Sequence, residues 1–492
     1  MTGAPGRTRP LIIDSTLREG NQAPSVLFTA SQTAELALAI ASVGVDMLEC
    51  GHPVCGDAEL ERVRAVTQLD LPVPVLAHAR ADREDVDAVA RSGADWVGIF
   101  LGVNEISRRA RLGGRSMPEL HRMLEDSISH AKGAGLGVRY TVEDASRTPR
   151  PELAAAYRIA LEAGADRLCF ADTVGTLEPR EVAEVVAWLR ERFDAELEVH
   201  LHDDRGLALA NALAAADAGV DWISASVNGL GERCGIPDTA SLLVNLDYRG
   251  GRPLEGRDRL ADLSRRVAAY TRSHPDERRP VVGRNAFLHT ARLHRVAAER
   301  EPRAYEWIEP ERVGHERSTP PEPVPRDVSA LTFPAKPRSA TELVHHREGP
   351  GVRYVLLDDS FLPGVDQYCI ARRIPAGDPG PGHVDTHAHD CDSLFVFLGD
   401  EPGYKGLVAE VEVDGKRIEV SSPCSVFIPA GSEHRYRVVR GSGTYLNHVL
   451  AGDYTASLLP PLDLPADGDD YASFGSASRA STDRPVGSAG KP

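Results

Sequence analysis

One repeated pattern constrains the fold more than any other feature of this chain. From residue 11 to 229 a short apolar, β-prone run is followed by a longer Ala/Leu/Glu/Arg-rich stretch of helical period, eight times over. The β-prone runs are Leu11–Thr16, Asp46–Glu49, Val73–His78, Trp96–Leu101, Val138–Val142, Arg167–Asp172, Leu197–His202 and Trp222–Val227. Segments such as Thr29–Val43, Arg83–Ser92, Met117–Gly133 and Pro179–Phe193 read as amphipathic helices between them. Eight β-α units predict an α/β fold, a closed (β/α)8 TIM barrel over residues 11–250. A doubly wound sheet is the alternative; eight regular units favour closure. Four joins into strands read Gly-x-Asp, ending at Asp46, Asp95, Asp166 and Asp221. A glycine at a helix C-cap explains the first half of that join.

In a barrel, chemistry collects at the C-terminal ends of the strands. The first strand ends in Arg18, Glu19 and Gln22, the third in His78 and Arg80. In the fifth, Arg139, Thr141 and Glu143 alternate and so share one face. The sixth ends in Asp172-Thr173 and the seventh in His200-Leu-His202-Asp-Asp. Residues i and i+2 of a strand point the same way, so His200 and His202 can bind one ion. Glu19 adds a carboxylate and leaves coordination positions open. A substrate could chelate there through a keto oxygen and a carboxylate.

The segments Asp14–Gln22, Phe170–Gly175, His200–Gly206 and Val227–Arg233 resemble the DRE-TIM metallolyase superfamily in order and spacing. Within it they look most like homocitrate synthase, with 2-isopropylmalate and citramalate synthases nearby. The resemblance covers about residues 10 to 315. It implies condensation of acetyl-CoA with a 2-oxo acid on a divalent metal (Mg, Mn or Zn), by an acyltransferase. It implies Glu19, His200 and His202 as metal ligands, and Arg18 as the group that holds the 2-oxo acid and steadies the enolate. Arg139, Thr141 and Thr173 would bind acceptor carboxylates, with Gln22 and His78 lining the pocket. Glu143 would belong to the acid/base machinery. Residues 251–315 resemble the small helical subdomain of the condensing enzymes, which lends a histidine and a tyrosine to the neighbouring subunit. His294 and Tyr305 match them, so a homodimer is implied. The chain departs from the family pattern at Arg292, at Gly98 and in the Gly51-His52-Pro53 loop, which leaves the acceptor open. Cys234 reads as structural.

A proline-rich stretch, 316–344, reads as a stiff linker. Residues 345–456 change to short alternating runs split by Gly and Pro, an all-β texture. His387-Ala-His389-Asp-Cys-Asp-Ser393 and Pro429–His434 resemble the two cupin motifs, so this domain is expected to be a double-stranded β-helix. His387, His389 and His434 match three ligands of metal-binding cupins and imply a candidate second metal. The family's glutamate position holds Ser393. Asp392 lies one step along, and one step flips a side chain to the other face. Residues 1–10 and 457–492 read as disordered.

The formal net charge of −17 argues against a nucleic-acid partner. No apolar run is long enough to span a bilayer, and the N-terminus carries no secretory h-region. Seven cysteines without CxxC pairs fit a reducing cytoplasm. The expected activity is a Claisen-type synthase with small-molecule partners only. A C–C lyase or aldolase on the same metal is the alternative; a third reading makes the cupin the sensing or second-step module. The pairing of the two domains points to a specialised pathway.

Overall fold

The computed structural model describes residues 9–250, 256–273, 275–316, 327–380 and 382–460. Residues 1–8 and 461–492 of the termini expected to be disordered, and 317–326 of the proline-rich stretch, lie outside those residues; Ser457, expected in the disordered tail, is described and buried.

The strands are β1 (Leu11–Asp14), β2 (Met47–Glu49), β3 (Val75–Arg80), β4 (Trp96–Phe100), β5 (Gly137–Val142), β6 (Arg167–Asp172), β7 (Glu196–Leu201) and β8 (Trp222–Ala225). They form a closed barrel in chain order, and β1 closes in parallel on β8 with Leu11 opposite Trp222. The predicted TIM barrel is therefore the fold, with strand bounds moved by one or two residues. Its strands are buried on both faces, which is why they read as apolar runs rather than alternations.

The Gly-x-Asp joins have a physical reason in both halves. Gly93 and Gly219 end their helices in the left-handed conformation, at φ 81° and 90°. Each aspartate then accepts a backbone N–H from the neighbouring strand. Asp46 takes Ile12 N at 2.8 Å, Asp95 takes Val75 N at 2.9 Å, Asp166 takes Val138 N at 2.8 Å, and Asp221 takes Leu197 N at 2.7 Å. These clamps lie at the N-terminal face, opposite the chemistry, and satisfy strand-end donors there.

The C-terminal region is all-β. One sheet is six-stranded, containing β9 (Lys336–Arg338), β10 (Arg353–Leu357), β11 (Tyr368–Ile374), β12 (Ser393–Gly399), β15 (Cys424–Ile428) and β17 (Gly443–Val449). The other is three-stranded: β13 (Leu407–Val413), β14 (Lys416–Ser421) and β16 (His434–Gly441). Ile370, Phe395 and Phe397 from one meet Leu407, Val411 and Tyr436 from the other in a shared core. β9 lies within the expected linker; Pro337 fits there because β9 is an edge strand.

The helix Leu260–Thr271 and the arginine after it join the two regions. Arg272 Nη2 donates to Asp392 Oδ2 at 2.7 Å, Arg265 Nη1 to the Ala456 carbonyl at 3.1 Å, and Arg266 Nη2 to the Pro460 carbonyl at 2.6 Å. No helix among the described residues is long and apolar enough to cross a membrane.

Candidate active site

Glu19, His200 and His202 each offer a ligand atom, and these atoms lie within 4.8 Å of one another. Glu19 follows β1, and the two histidines sit at the end of β7 with ring centroids 5.1 Å apart. All three are buried. Glu19 Oε1 accepts Glu232 N at 3.0 Å, and Oε2 stands 3.8 Å from His200 Nε2. Burial alone would raise the Glu19 pKa, but Arg18 and the two imidazoles outweigh it and hold the carboxyl below its ordinary range. Burial, with Arg18 beside it, pushes His200 down to about 3. Both imidazoles are lowered and thus neutral at neutral pH, with lone pairs free to coordinate. His202 Nδ1 is buried with no hydrogen-bond partner. One anionic oxygen, two neutral imidazoles and an orphaned ring nitrogen fit a divalent ion.

Beneath this group runs a ladder of alternating buried charge. Arg18 bonds to both Glu19 and Glu49; its Nε reaches Glu49 Oε2 at 2.9 Å. Glu49 Oε1 accepts Arg139 Nη2 at 2.6 Å, and Arg139 Nη1 donates to Glu198 Oε1 at 2.8 Å. Arg167 Nη1 reaches Glu198 Oε2 at 3.1 Å. Glu49 and Glu198 are almost wholly buried and were not among the expected site residues. Their signal was present: a glutamate inside the apolar runs Met47–Glu49 and Leu197–His202 has no place in a core unless paired.

Arg139 departs from its expected role. Both terminal nitrogens are committed to glutamates, so it offers no free two-pronged grip on an acceptor carboxylate. His78 stacks on Phe100 at 4.8 Å and lies 3.5 Å from Glu49. A Cβ at Gly98 would come within 2.7 Å of Arg139 Nη2 and 3.0 Å of the His78 ring, so the glycine leaves the space these two fill. Gln22 is exposed, with Oε1 3.5 Å from Arg18 Nη1. Thr141 is buried near the end of β5. Thr173 Oγ1 accepts Asp144 N at 2.8 Å, and Glu143 pairs with Arg111. His78, Gly98 and Arg139 sit within their strands, whereas Glu143 and Thr173 follow the C-terminal ends of β5 and β6.

His294 and Tyr305 stack on each other at 4.0 Å on an exposed surface. Among the described residues neither bonds to Glu19, His200 or His202.

In the β region, His387, His389 and His434 likewise bring one ligand atom each within 4.8 Å of the others. His387 Nδ1 donates to the Asp385 carbonyl at 2.8 Å and His434 Nδ1 to the Ser432 carbonyl at 2.9 Å, which puts the lone pair of each ring on Nε2. His389 Nδ1 meets Ser457 Oγ at 2.8 Å, leaving Nε2 buried and without a partner. Asp392 takes no part: it binds Ala430 N and Arg272. Tyr454, unforeseen from sequence, bonds His387 Nε2 at 2.7 Å.

A family model described as HMGL-like matches residues 9–267, and one described as homocitrate synthase post-HMGL domain-like matches residues 281–320. A homocitrate synthase of Pyrococcus abyssi is 40% identical over 308 residues, covering 63% of this chain and 85% of that protein. A homocitrate synthase of Methanopyrus kandleri is 35% identical over 377 residues, covering 75% and 95%. The solved HMG-CoA lyase of Bacillus subtilis shares the barrel at a TM-score of 0.50 and 20% identity, over 55% of this chain and 96% of that one. With more than half its length under the first model and most of each curated relative covered, the chain belongs to the HMGL-like family, in its homocitrate synthase branch.

Proposed function

We propose that this chain condenses acetyl-CoA with a 2-oxo acid in a metal-dependent Claisen-type reaction. The observation that carries the reading is the Glu19–His200–His202 cluster, with Arg18 beside it, in a barrel of the homocitrate synthase branch. A divalent ion held by those three residues would supply Lewis-acid polarisation of the acceptor's keto oxygen. Arg18, fixed from below by Glu49, grips the acceptor carboxylate and faces the charge that develops on the enolate. Thr141 and Thr173 bind the acceptor by hydroxyl, with His78 and Gln22 lining its pocket. Arg139 reaches the acceptor only in competition with its two glutamates. Glu143 belongs to the acid/base machinery. A proton leaves the acetyl methyl group and the new C–C bond forms at the keto carbon. The keto oxygen gains a proton, and water then splits the thioester to release the free thiol.

His294 and Tyr305, exposed and stacked, serve the site of a second copy, which makes the working form a homodimer. The β region is a cupin whose three imidazoles hold a second ion. Seven free cysteines are consistent with a reducing cytoplasm. The test is thiol release from acetyl-CoA with Mg, Mn or Zn across a panel of 2-oxo acids. Acceptor-dependent release that disappears in His202→Ala supports the synthase; no release from folded, metal-loaded protein with any acceptor overturns it.

A further inference from the structure

Outside the barrel, the least expected arrangement is a pair of arginines inside the β region. Arg353 of β10 and Arg372 of β11 are direct cross-strand partners. Both are on the inward face, 5% and 2% exposed. Like charges directly opposite on one face of a sheet repel, and burial strips them of the water that would screen the repulsion. A protein keeps such a pair only when something of opposite charge lies against it.

The described residues supply it only to Arg353, and from a half-exposed side chain. Arg372 Nη1 donates only to the carbonyls of Pro350 and Gly351, and no carboxylate lies within ion-pair distance of it. Arg353 donates to Tyr368 Oη at 2.7 Å and to the Ser339 carbonyl at 2.6 Å. Its nearest carboxylate, Glu342, stands 3.6 Å away, and that side chain is 48% exposed. Arg353 Nε has no partner at all. Both arginines line a small recess inside the β region. Its walls carry no aspartate or glutamate; they add Tyr368, Tyr436, Asn447 and Tyr454. Asn447 Oδ1 is buried without a partner as well.

We infer that this cavity is a binding site for a small carboxylate, held by Arg353 and Arg372. Guanidinium groups match the two oxygens of a carboxylate, and the narrowness of the recess favours the smallest ones. The Asn447 amide and the tyrosine hydroxyls supply neutral partners for a second polar group. Tyr454 connects this cavity to the three-histidine cluster: its hydroxyl donates to His387 Nε2 and accepts from His346 Nε2, each at 2.7 Å. A ligand here therefore lies next to the second ion's position, and the site can report the level of an organic acid. The choice of carboxylates like those the barrel handles rests on the reading given above.

The experiment is calorimetric titration of the full-length His202→Ala protein, whose barrel site is disabled, with acetate, succinate and inorganic phosphate, each with and without Zn. One carboxylate bound per chain, at least tenfold tighter than phosphate, is expected. Arg372→Met should weaken it tenfold or more, and Asn447→Leu, which fills the cavity without removing charge, should do the same in a protein of unchanged melting temperature. No binding of either carboxylate, equal or tighter binding of phosphate, or unchanged affinity in both variants would overturn the inference. Thiol release by Arg372→Met in an otherwise native chain should equal that of the parent. A parent without thiol release would sink the synthase reading and leave the calorimetric result standing.

Discussion

Glu49 holds Arg18 in place: the Arg18 guanidinium meets the Glu49 carboxylate through Nε at 2.9 Å and Nη2 at 2.7 Å, both out of reach of solvent. Burial alone would raise the Glu49 pKa, but Arg139 and Arg18 hold it well below the carboxylate range. Glu49 is thus the anion that fixes the cation proposed to bind the acceptor. Glu49→Gln keeps the shape and removes the charge. Stability should fall by about 3 kcal/mol, the cost of a buried ion left unpaired. The kcat for thiol release should fall about a hundredfold, with metal content unchanged. Unaltered kcat in folded protein would refute this positioning role.

Metal content should separate the two clusters. Elemental analysis of the purified chain is expected to find two ions per chain. Glu19→Ala should leave one and abolish thiol release. His389→Ala should also leave one, with thiol release intact. A chain that binds one ion, lost in Glu19→Ala and kept in His389→Ala, would show that the β cluster takes no metal.

Asp85 is wholly buried and accepts from Arg80 through both oxygens and from the Arg80 backbone, with His52 Nε2 at 3.0 Å. Burial raises its pKa, but the hydrogen bonds from Arg80 and His52 prevail and depress it below the ordinary value. A depressed carboxyl stabilises the fold above its unfolded pKa of about 3.9 and loses that contribution as pH falls through the folded value. Asp85→Asn should cost about 2 kcal/mol at pH 7. The cost should shrink as denaturation is measured at progressively lower pH below about 4. A deficit independent of pH would show that charge is not involved.

The aspartate clamps should be individually modest. Asp95→Ala removes the acceptor of Val75 N and should cost about 1 kcal/mol, a lowering of Tm by about 2 °C. Thiol release should be unchanged, because the clamp lies at the face opposite the site. A loss of activity at unchanged Tm would contradict that separation.

The barrel was legible because its period is long and regular, and because parallel strands buried on both faces leave unbroken apolar runs. The candidate metal cluster was legible because His200 and His202 are spaced for one strand face. The charge ladder was not: Glu49 and Glu198 find their arginines across the barrel, 90 and 59 positions from Arg139 in sequence. Arg139 itself showed its face but not its partners, so its commitment to two glutamates could not be foreseen. Tyr454 and Ser457 were hidden differently, at the edge of a tail that read as polar and unstructured. Asp392 could be set aside from alternation alone, and its bond to Arg272 gives the reason.

That bond, with those of Arg265 and Arg266, has a consequence for anyone dividing the molecule. The proline-rich stretch looks like the natural place to cut, yet the two halves remain attached elsewhere, through one helix of the first half with the arginine after it, and Asp392 and the last described residues of the second. A barrel expressed alone would present Arg266, 2% exposed in the whole chain, without the Pro460 carbonyl it holds. Truncation is therefore not neutral surgery, and a nick in the linker should leave two fragments that still travel together on a sizing column.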